Sequence, residues 1–478
     1  MYLGIDLGTS GLRALMTDAA GRPVASAEAQ YNVQTPHPGW SEQDPGDWIT
    51  ALDQAMDQLR DTPGYGDICG IAVAGHMHGA VLLDGSDQVL RPCILWNDTR
   101  SATEAAELDA TAQVRDLSGN IVFPGFTAPK LLWVQRHEPE IFADVAKVLL
   151  PAAYLNLHLT GRHVADMSDS AGTSWLDVGA RDWSEQLLKA GQMRRDQMPD
   201  LVEGCAPAGQ LRSDLARHWG LTGPVTIAGG AGDNAAAACG TGVMAAGQGF
   251  VSLGTSGVVL TARDGFHPDA QTAVHTFCHA IPDRWYQMGV MLSATDCMNW
   301  LGRITGRSPA DLTACLGDQL RPPGPVTFMP YLSGERTPHN SASLRGGFQG
   351  LSISTTSEDL AIAVMEGVSY GLRDCLEALR ATGAELSSCL VIGGGSKSGY
   401  WVKLLATILD LPLQLPKGGE FGAALGAARL AQIAVTGAAP AEILTAPDIA
   451  ATVMPDSNLR DGFDAGYAAF RARVSALT

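Results

Sequence analysis

The five residues Leu-Gly-Thr-Ser-Gly occur twice in this chain, at positions 7–11 and 253–257. Each copy lies between two apolar runs, which predicts a tight turn joining two strands. The terminal glycines permit left-handed or crowded backbone close to a ligand, and the hydroxyl and N–H groups between them are donors that suit phosphate oxygens. Two such turns can hold one polyphosphate from two sides, whereas one copy alone is as typical of an ordinary hairpin. The predicted phosphate-binding residues are Gly8, Thr9, Ser10, Gly254, Thr255 and Ser256.

The residue before the turn differs between the two copies, being Asp6 in the first and Ser252 in the second. A carboxylate beside phosphate groups repels them unless a cation lies between. Carboxylate and phosphate oxygens are the ligands that Mg²⁺ prefers. The asymmetry therefore predicts a Mg²⁺ site at the first copy only.

Asp233 follows a buried strand and a glycine-rich turn, and an Ala-rich helix follows it. At a helix N-terminus the dipole and the free N–H groups favour the ionised form, which predicts a lowered pKa. A carboxylate placed there could act as a general base or orient a hydroxyl in phosphoryl transfer. The alternative is that Asp233 only caps the helix.

Two further groups of polar residues follow apolar strands. His76-Met77-His78 lies between Gly75 and Gly79, and Trp96-Asn97-Asp98-Thr99-Arg100 ends another apolar run. Open α/β sheets present their ligand sites at strand ends, and the second group has the mix that sugar sites use. The alternatives are a hairpin whose histidines bond local carbonyls, and a helix N-cap at Asn97 or Asp98. If the backbone is extended, His76 and His78 share a face, but a zinc site would lack its third ligand.

A third glycine-rich turn lies at 393–398, between a predicted strand at 389–392 and a predicted helix at 399–409. A turn of this kind suits a nucleotide. The turn matches neither the P-loop nor the complete dinucleotide-binding pattern, so it is a weak signal by itself. Residues 150–220 are predicted to be helices and loops without chemistry.

The length, the net charge and the cysteine content of the chain limit the class of protein. A length of 478 residues predicts two domains, 1–244 and 245–478, joined in the Gly- and Ala-rich stretch 240–249. A net charge of −18 argues against nucleic acid or an anionic membrane as partner. Nine scattered cysteines without a C-x-x-C pair, and no visible signal peptide or membrane span, predict a cytoplasmic protein with reduced thiols.

Taken in order, the motifs resemble those of the FGGY carbohydrate kinases, from residue 1 to about 435. They are Asp6-Leu7-Gly8-Thr9-Ser10, Met77-His78-Gly79, Trp96-Asn97-Asp98, Gly232-Asp233-Asn234, Leu253-Gly254-Thr255-Ser256-Gly257, Ser333-Gly334-Glu335-Arg336-Thr337-Pro338 and Gly393-Gly394-Gly395. The resemblance implies an α/β fold of two ribonuclease H-like domains, of the actin/hexokinase type, flanking a central cleft. It implies ATP-dependent phosphorylation of a small ketose, D-xylulose in the first place, with Mg²⁺. Beyond about residue 435 only a helical tail is predicted.

The resemblance also implies roles for single residues. Asp233 would be the base, and Asp6 and Asp233 would lie at the Mg²⁺. The implied sugar contacts are Met77, His78, Trp96, Asn97, Asp98 and Asn234, and the implied nucleotide contacts are the two turns, Arg13, Gly394, Gly395 and Ser396. The sequence departs from the family at His76, where Gln is common, and at Arg13, where Lys is usual. A homodimer is a further expectation from the resemblance.

Two other functions stay open at this point. One is an ATP-driven conformational switch of the actin/Hsp70 kind, for which the polar groups at 76–79 and 96–98 would not be needed. The other is a sugar-binding regulator without catalysis, which the presence of both Asp6 and Asp233 disfavours. Ribulose or a polyol is the alternative acceptor within the kinase hypothesis.

Overall fold

The computed structural model describes residues 1–314, 316–317, 319–417 and 422–476. Two mixed sheets of the same design form the two lobes. The strands of the first sheet are β1 Tyr2–Leu7, β2 Gly11–Thr17, β3 Pro23–Gln30, β4 Gly70–Gly75, β5 Pro207–Gln210, β6 Thr226–Ala228 and β7 Ala231–Gly232. Their order is β5-β6-β4-β1-β2-β3, with β7 also paired to β4.

The strands of the second sheet are β8 Gly249–Leu253, β9 Gly257–Arg263, β10 His275–Cys278, β11 Trp285–Met291, β12 Cys389–Ile392, β13 Leu413–Pro416 and β14 Ile449–Val453. Their order is β10-β11-β9-β8-β12-β13-β14. In both sheets an antiparallel hairpin is joined in parallel by a later strand, β4 beside β1 and β12 beside β8. The predicted class, α/β with two ribonuclease H-like domains, is confirmed.

The helices surround these sheets. They are α1 Pro45–Leu59, α2 Ala102–Asp109, α3 Val114–Ser118, α4 Thr127–His137, α5 Pro139–Asp144, α6 Pro151–Thr160, α7 Met167–Ser170, α8 Glu185–Ala190, α9 Ser213–Trp219, α10 Asp233–Thr241, α11 Thr295–Thr305, α12 Pro309–Thr313, α13 Ser357–Ala381, α14 Gly399–Leu409, α15 Ala423–Thr436, α16 Pro440–Ile443 and α17 Arg460–Ser475. Short strands pair outside the two sheets at Glu42–Gln43, Val81–Leu83, Cys93–Ile94, Lys147–Leu149, Val164–Asp166, Leu176–Asp177, Asp182–Trp183, Asp200–Val202, Thr327–Met329 and Gly347–Gln349.

Local signals were good guides to these elements. The helix predicted at 399–409 has those bounds, and a capping box of Thr356 and Asp359 starts α13. The prediction of only a helical tail beyond about residue 435 was incomplete, because β14 adds an edge strand to the second sheet before α17. No helix in the described ranges is long and apolar enough to cross a membrane. Eight cysteines there are free thiols, and Cys315 lies outside the described residues.

One helix from the second half of the chain packs against the first lobe. Helix α15 contacts β1, β4 and α10, and its backbone comes unusually close to its neighbours. A Cβ atom at Gly4 would lie 1.8 Å from the Ala424 carbonyl oxygen, and one at Gly426 would lie 1.8 Å from that of Ala236. Glycine at these positions is therefore a requirement of close packing, which joins α15 to the sheet and the helix that carry Asp6 and Asp233.

We predict that Gly426→Ala lowers the free energy of unfolding by about 1–3 kcal/mol, because the helices must separate to admit the methyl group. Helix propensity alone would stabilise the variant by about 1 kcal/mol, so the sign of the change reports the packing. Urea unfolding measures it. Gly399→Ala is the matched control, since nothing lies within 4 Å of a Cβ there. A Gly426→Ala protein at least as stable as the wild type would contradict this packing.

Candidate active site

Both Leu-Gly-Thr-Ser-Gly turns are held in place by hydrogen bonds to their backbone carbonyl groups. The carbonyl of Gly8 accepts a hydrogen bond from the Tyr31 hydroxyl, and that of Thr9 accepts one from the Gln43 amide at 2.6 Å. In the second turn the Gly254 carbonyl accepts two hydrogen bonds from Thr295, at 2.8 and 2.9 Å. These bonds direct the carbonyls toward the protein.

The solvent side of each turn carries hydroxyl groups, because Ser10, Thr255 and Ser256 are exposed. None of the four glycines that end the turns has a positive φ. The expected left-handed backbone was therefore wrong. Glycine is needed at position 11 because the backbone is crowded there: a Cβ at Gly11 would lie 2.8 Å from the Ala29 carbonyl oxygen.

A cleft of about 310 Å³ lies between the lobes. The first lobe lines it with His76, Met77, His78, Trp96, Asp233, Asn234 and Ala237, and the second lobe with Phe250, Ser252, Ser256, Val258, His275, Met288, Val290, Arg336 and Ile392. The cleft thus brings together five of the predicted sugar and catalytic residues with Ser256 of the second turn.

Asp233 is the first residue of α10, and Gly232, not Asp233, occupies the N-cap. Its Oδ1 accepts hydrogen bonds from the Asn234 backbone at 2.7 Å and side chain at 2.8 Å. Burial nevertheless raises the pKa of Asp233 to about 6. The predicted lowering was wrong, because desolvation of the charge outweighs the helix terminus and both hydrogen bonds. A carboxylate with this pKa is ionised at neutral pH and is a stronger base than an exposed one.

Asp6 is the last residue but one of β1 and pairs with Arg13 across the first hairpin. Burial, and then the charge of Asp233, raise the pKa of Asp6 to about 7, although Arg13 lowers it. Arg13 itself lies 3.6 Å from Glu28. Two carboxylates that disfavour each other's ionisation form a suitable environment for a cation. No group of three or more His, Cys, Asp or Glu in the described ranges could hold a metal by itself, so such a cation would need ligands from a nucleotide.

The two histidines do not share an extended face as expected. His78 has a φ of 72°, so the chain turns after His76, whose ring lies edge-on to Trp48 at 5.5 Å. Burial lowers the pKa of each histidine to about 3, so both rings are neutral. The His78 Nδ1 lies 2.7 Å from the Gly172 carbonyl oxygen. Since a carbonyl only accepts, Nδ1 carries the proton and Nε2 is left as an acceptor.

The Trp96–Arg100 group divides into two. Trp96 lines the cleft and donates from its indole nitrogen to the Thr9 hydroxyl at 3.0 Å. Asp98 is buried away from the cleft, where it pairs with Arg100 and accepts from the Ser41 backbone at 2.6 Å. Asn97 is exposed and does not line the cleft. The N-cap suggested at Asn97 or Asp98 was also wrong, because α2 begins at Ala102 after Ser101.

The third glycine-rich turn lines a separate cavity of about 480 Å³, beside α11 and α14. Gly394 and Gly395 contribute to it together with Thr295 and Trp401, whereas Ser396 bonds the Gly393 carbonyl and is not in the lining. Thr295 also donates to the carbonyl of Gly254. The cavity therefore adjoins the second phosphate turn.

Residues 150–220, for which no functional residue was predicted, contain polar side chains that contact the turn before Asp233. Ser168 accepts a hydrogen bond from the Gly232 N–H at 3.1 Å and donates to Asp166 at 2.5 Å. The neighbouring Asp169 is buried, and neither of its carboxylate oxygens has a hydrogen-bond partner in the described part of the chain. Burial raises the pKa of Asp169, and the charges of Asp166 and Asp233 raise it further. The feature of the sequence that could have indicated these residues is the pair Asp166 and Asp169 at the end of a short strand.

Comparison with known proteins agrees with this architecture. The models of the FGGY family of carbohydrate kinases, N-terminal and C-terminal domains, match residues 1–240 and 249–435. A xylulose kinase of Escherichia coli (strain K12) is 50% identical over 436 residues, covering 91% of this chain and 90% of the relative. A structure described as a xyloylose kinase from Brucella ovis has a TM-score of 0.98 and 54% identity, over 100% of this chain and 99% of that one. The xylulose kinase structure from Rhodospirillum rubrum has a TM-score of 0.92 and 27% identity, over 100% and 98%.

Two ribonuclease H-like lobes with a carboxylate in the cleft between them are the architecture of a sugar kinase of the actin/hexokinase type. With family models matched over most of its length, the chain belongs to the FGGY family of carbohydrate kinases. The family uses ATP as phosphoryl donor.

We predict that Ser168→Ala lowers kcat about tenfold and changes the KM for sugar less than twofold. The variant leaves the Gly232 N–H, next to Asp233, without its acceptor. Steady-state kinetics measures the change. Ser170→Ala is the matched control, because Ser170 is buried on the same short helix and its hydroxyl has no partner in the described part of the chain. Equal losses in both variants would show that Ser168 has no special role.

Proposed function

We propose that this protein phosphorylates D-xylulose with ATP and gives D-xylulose 5-phosphate. The single observation that carries the proposal is the cleft in which Asp233, Met77, His78 and Asn234 of one lobe face Ser256 of the other. The similarity to the xylulose kinases of Escherichia coli (strain K12) and Klebsiella pneumoniae, at 50% and 49% identity, supports the choice of sugar.

Asp233 is the general base of the proposed reaction. It accepts the proton of the terminal sugar hydroxyl as the hydroxyl oxygen attacks the γ-phosphorus of ATP. The bond from that phosphorus to the β–γ bridging oxygen breaks, and ADP leaves. Its two hydrogen bonds from Asn234 fix the carboxylate, and its pKa of about 6 leaves it ionised at neutral pH. Phosphoryl transfer needs mainly positioning and charge stabilisation, so a carboxylate of this basicity is sufficient.

The two turns bind the phosphates. Hydroxyl and N–H groups of 8–10 and 254–256 stabilise negative charge on the phosphoryl oxygens, while the hydrogen bonds behind the turns hold these donors in place. Gly394 and Gly395 line the adjoining cavity, which has room for a nucleoside. Arg13 lies across the hairpin from Asp6, near this phosphate position.

The residues present fit a magnesium ion. Asp6 and Asp233 are partly buried carboxylates whose charges disfavour each other, and Mg²⁺ is commonly held by one or two carboxylates together with substrate phosphates. Mg²⁺ bound there would neutralise charge on the phosphates of ATP. Both aspartates are the proposed ligands.

Several expectations remain part of the proposal. They are the domain division at 244/245, the cytoplasmic location and the homodimer. Because His76 replaces the Gln common in the family, another small ketose such as ribulose is the alternative acceptor. The actin/Hsp70-like switch is disfavoured, because a polar cleft with a base and neutral histidines serves a small acceptor molecule.

A coupled assay of ADP release over D-xylulose, D-ribulose, glycerol and gluconate tests this function. We expect turnover with D-xylulose to have the highest kcat/KM of the four. Folded protein with no sugar-stimulated turnover would contradict the kinase, whereas a preference for D-ribulose would contradict only the choice of sugar.

Asp233→Asn should lower kcat by about three orders of magnitude or more, because the amide cannot accept the proton. Affinity for ATP, measured by calorimetry, should change little in comparison. Asp98→Asn is an informative companion, since Asp98 lies away from the cleft and its change should act on stability. Retained turnover in Asp233→Asn would remove Asp233 from the role of base.

A further inference from the structure

Arg336 is a partly buried cation that the proposed mechanism does not use. It lines the cleft, and its guanidinium carbon lies 4.1 Å from the ring centroid of Phe123 in the first lobe. Burial lowers the pKa of Arg336 to about 10, and Glu335 opposes this change, so the side chain is charged at neutral pH. A guanidinium has only donors to offer. The cleft therefore contains a fixed group of donors that faces the substrate volume.

The orientation of Arg336 follows from a chain of hydrogen bonds that begins at Asn120. The Oδ1 of Asn120 accepts from the Thr276 N–H at 3.1 Å, and its Nδ2 donates to the carbonyls of Thr276 at 2.9 Å and Ser118 at 2.7 Å. These backbone partners allow only one orientation of the amide, because an N–H only donates and a carbonyl only accepts.

The same logic fixes His275. Its Nδ1 lies 3.2 Å from the Asn120 Oδ1, which can only accept, so Nδ1 carries the proton. Its Nε2 is then an acceptor, and the Arg336 Nη1 lies 3.4 Å from it. Burial and the charge of Arg336 lower the pKa of His275, which keeps the ring in this neutral form. Within the described residues the Arg336 guanidinium makes this one hydrogen bond to a protein acceptor, and the side chain lines the cleft.

Arg336 lies at the His78 side of the cleft, because its partner His275 stacks on Phe277, whose ring centroid lies 6.2 Å from that of His78. There the His78 Nε2 is an acceptor and Arg336 is a donor. A polyol has a hydroxyl group on every carbon, and each hydroxyl both donates and accepts. The carbonyl oxygen of a ketose only accepts, and a charged donor is its best partner.

From this arrangement we infer that Arg336 recognises the carbonyl oxygen of the acceptor sugar and selects ketoses over the corresponding polyols. His275 and Asn120 are positioning residues for it. The inference rests on the proposed function, because it deepens the recognition of the sugar at the same site. Asp233 then faces the hydroxyl at the other end of the carbon chain.

Calorimetric titration without ATP tests the inference on two pairs of ligands, D-xylulose with xylitol and D-ribulose with ribitol. Wild-type protein should bind the ketose of its preferred pair more tightly than the polyol. Arg336→Met should weaken the binding of that ketose about tenfold to hundredfold, which corresponds to the loss of a charged hydrogen bond. It should weaken the binding of the polyol less than about threefold. Arg345→Met is the control, an exposed arginine outside the cleft lining, and should change neither.

A second pair of variants covers the case in which Arg336→Met does not fold. His275→Leu removes the acceptor for Arg336 and should give the same ketose-selective loss, and His275→Gln, which has both a donor and an acceptor, should recover most of the affinity. The inference would be overturned if the variants weakened the binding of ketose and polyol equally, or if the wild-type protein bound both with the same affinity. A ribulose preference with the selective loss intact would contradict the choice of D-xylulose and leave Arg336 in its role.

Discussion

The partial burial of two carboxylates near each other, Asp6 and Asp233, is the constraint on which this molecule depends. Ionising either one costs free energy in the absence of a ligand, which raises their pKa values to about 7 and 6. Raised carboxylate pKa values in the folded state mean that this pair favours folding at low pH and loses that contribution as the pH rises through 6–7. The fold therefore keeps a charged site that a cation and a hydroxyl donor would stabilise.

Rigid elements hold the two carboxylates in this unfavourable arrangement. Asp6 lies one residue before the end of a central strand, and Asp233 begins α10, which packs closely against α15. Ser168 and Asp166 fix the backbone at Gly232 from a third element. A site built on strand and helix termini can supply the positioning that phosphoryl transfer requires. The second lobe adds Arg336, which is linked through His275 to Asn120 of the first lobe, so that both lobes take part in the recognition of the sugar that we infer.

The parts of the fold that the sequence predicted well depend on local signals. The repeated turn between apolar runs and the helix at 399–409 after its glycine-rich turn are each specified by residues within or next to the element. The parts that it missed depend on contacts between distant segments. Ser168 lies 64 residues from Gly232, and Asn120 lies 156 residues from Thr276, so no pattern along the chain connects them. The pKa of Asp233 was predicted in the wrong direction for the same reason, because desolvation by both lobes is a property of the assembled fold.

The most direct measurement of the central claim is a crystal structure with a non-hydrolysable ATP analogue and the sugar bound together. The account predicts that donors of both Leu-Gly-Thr-Ser-Gly turns contact the phosphates and that the Asp233 carboxylate lies within hydrogen-bonding distance of the terminal sugar hydroxyl. Phosphates held by one turn alone, or a sugar bound with that hydroxyl away from Asp233, would contradict it.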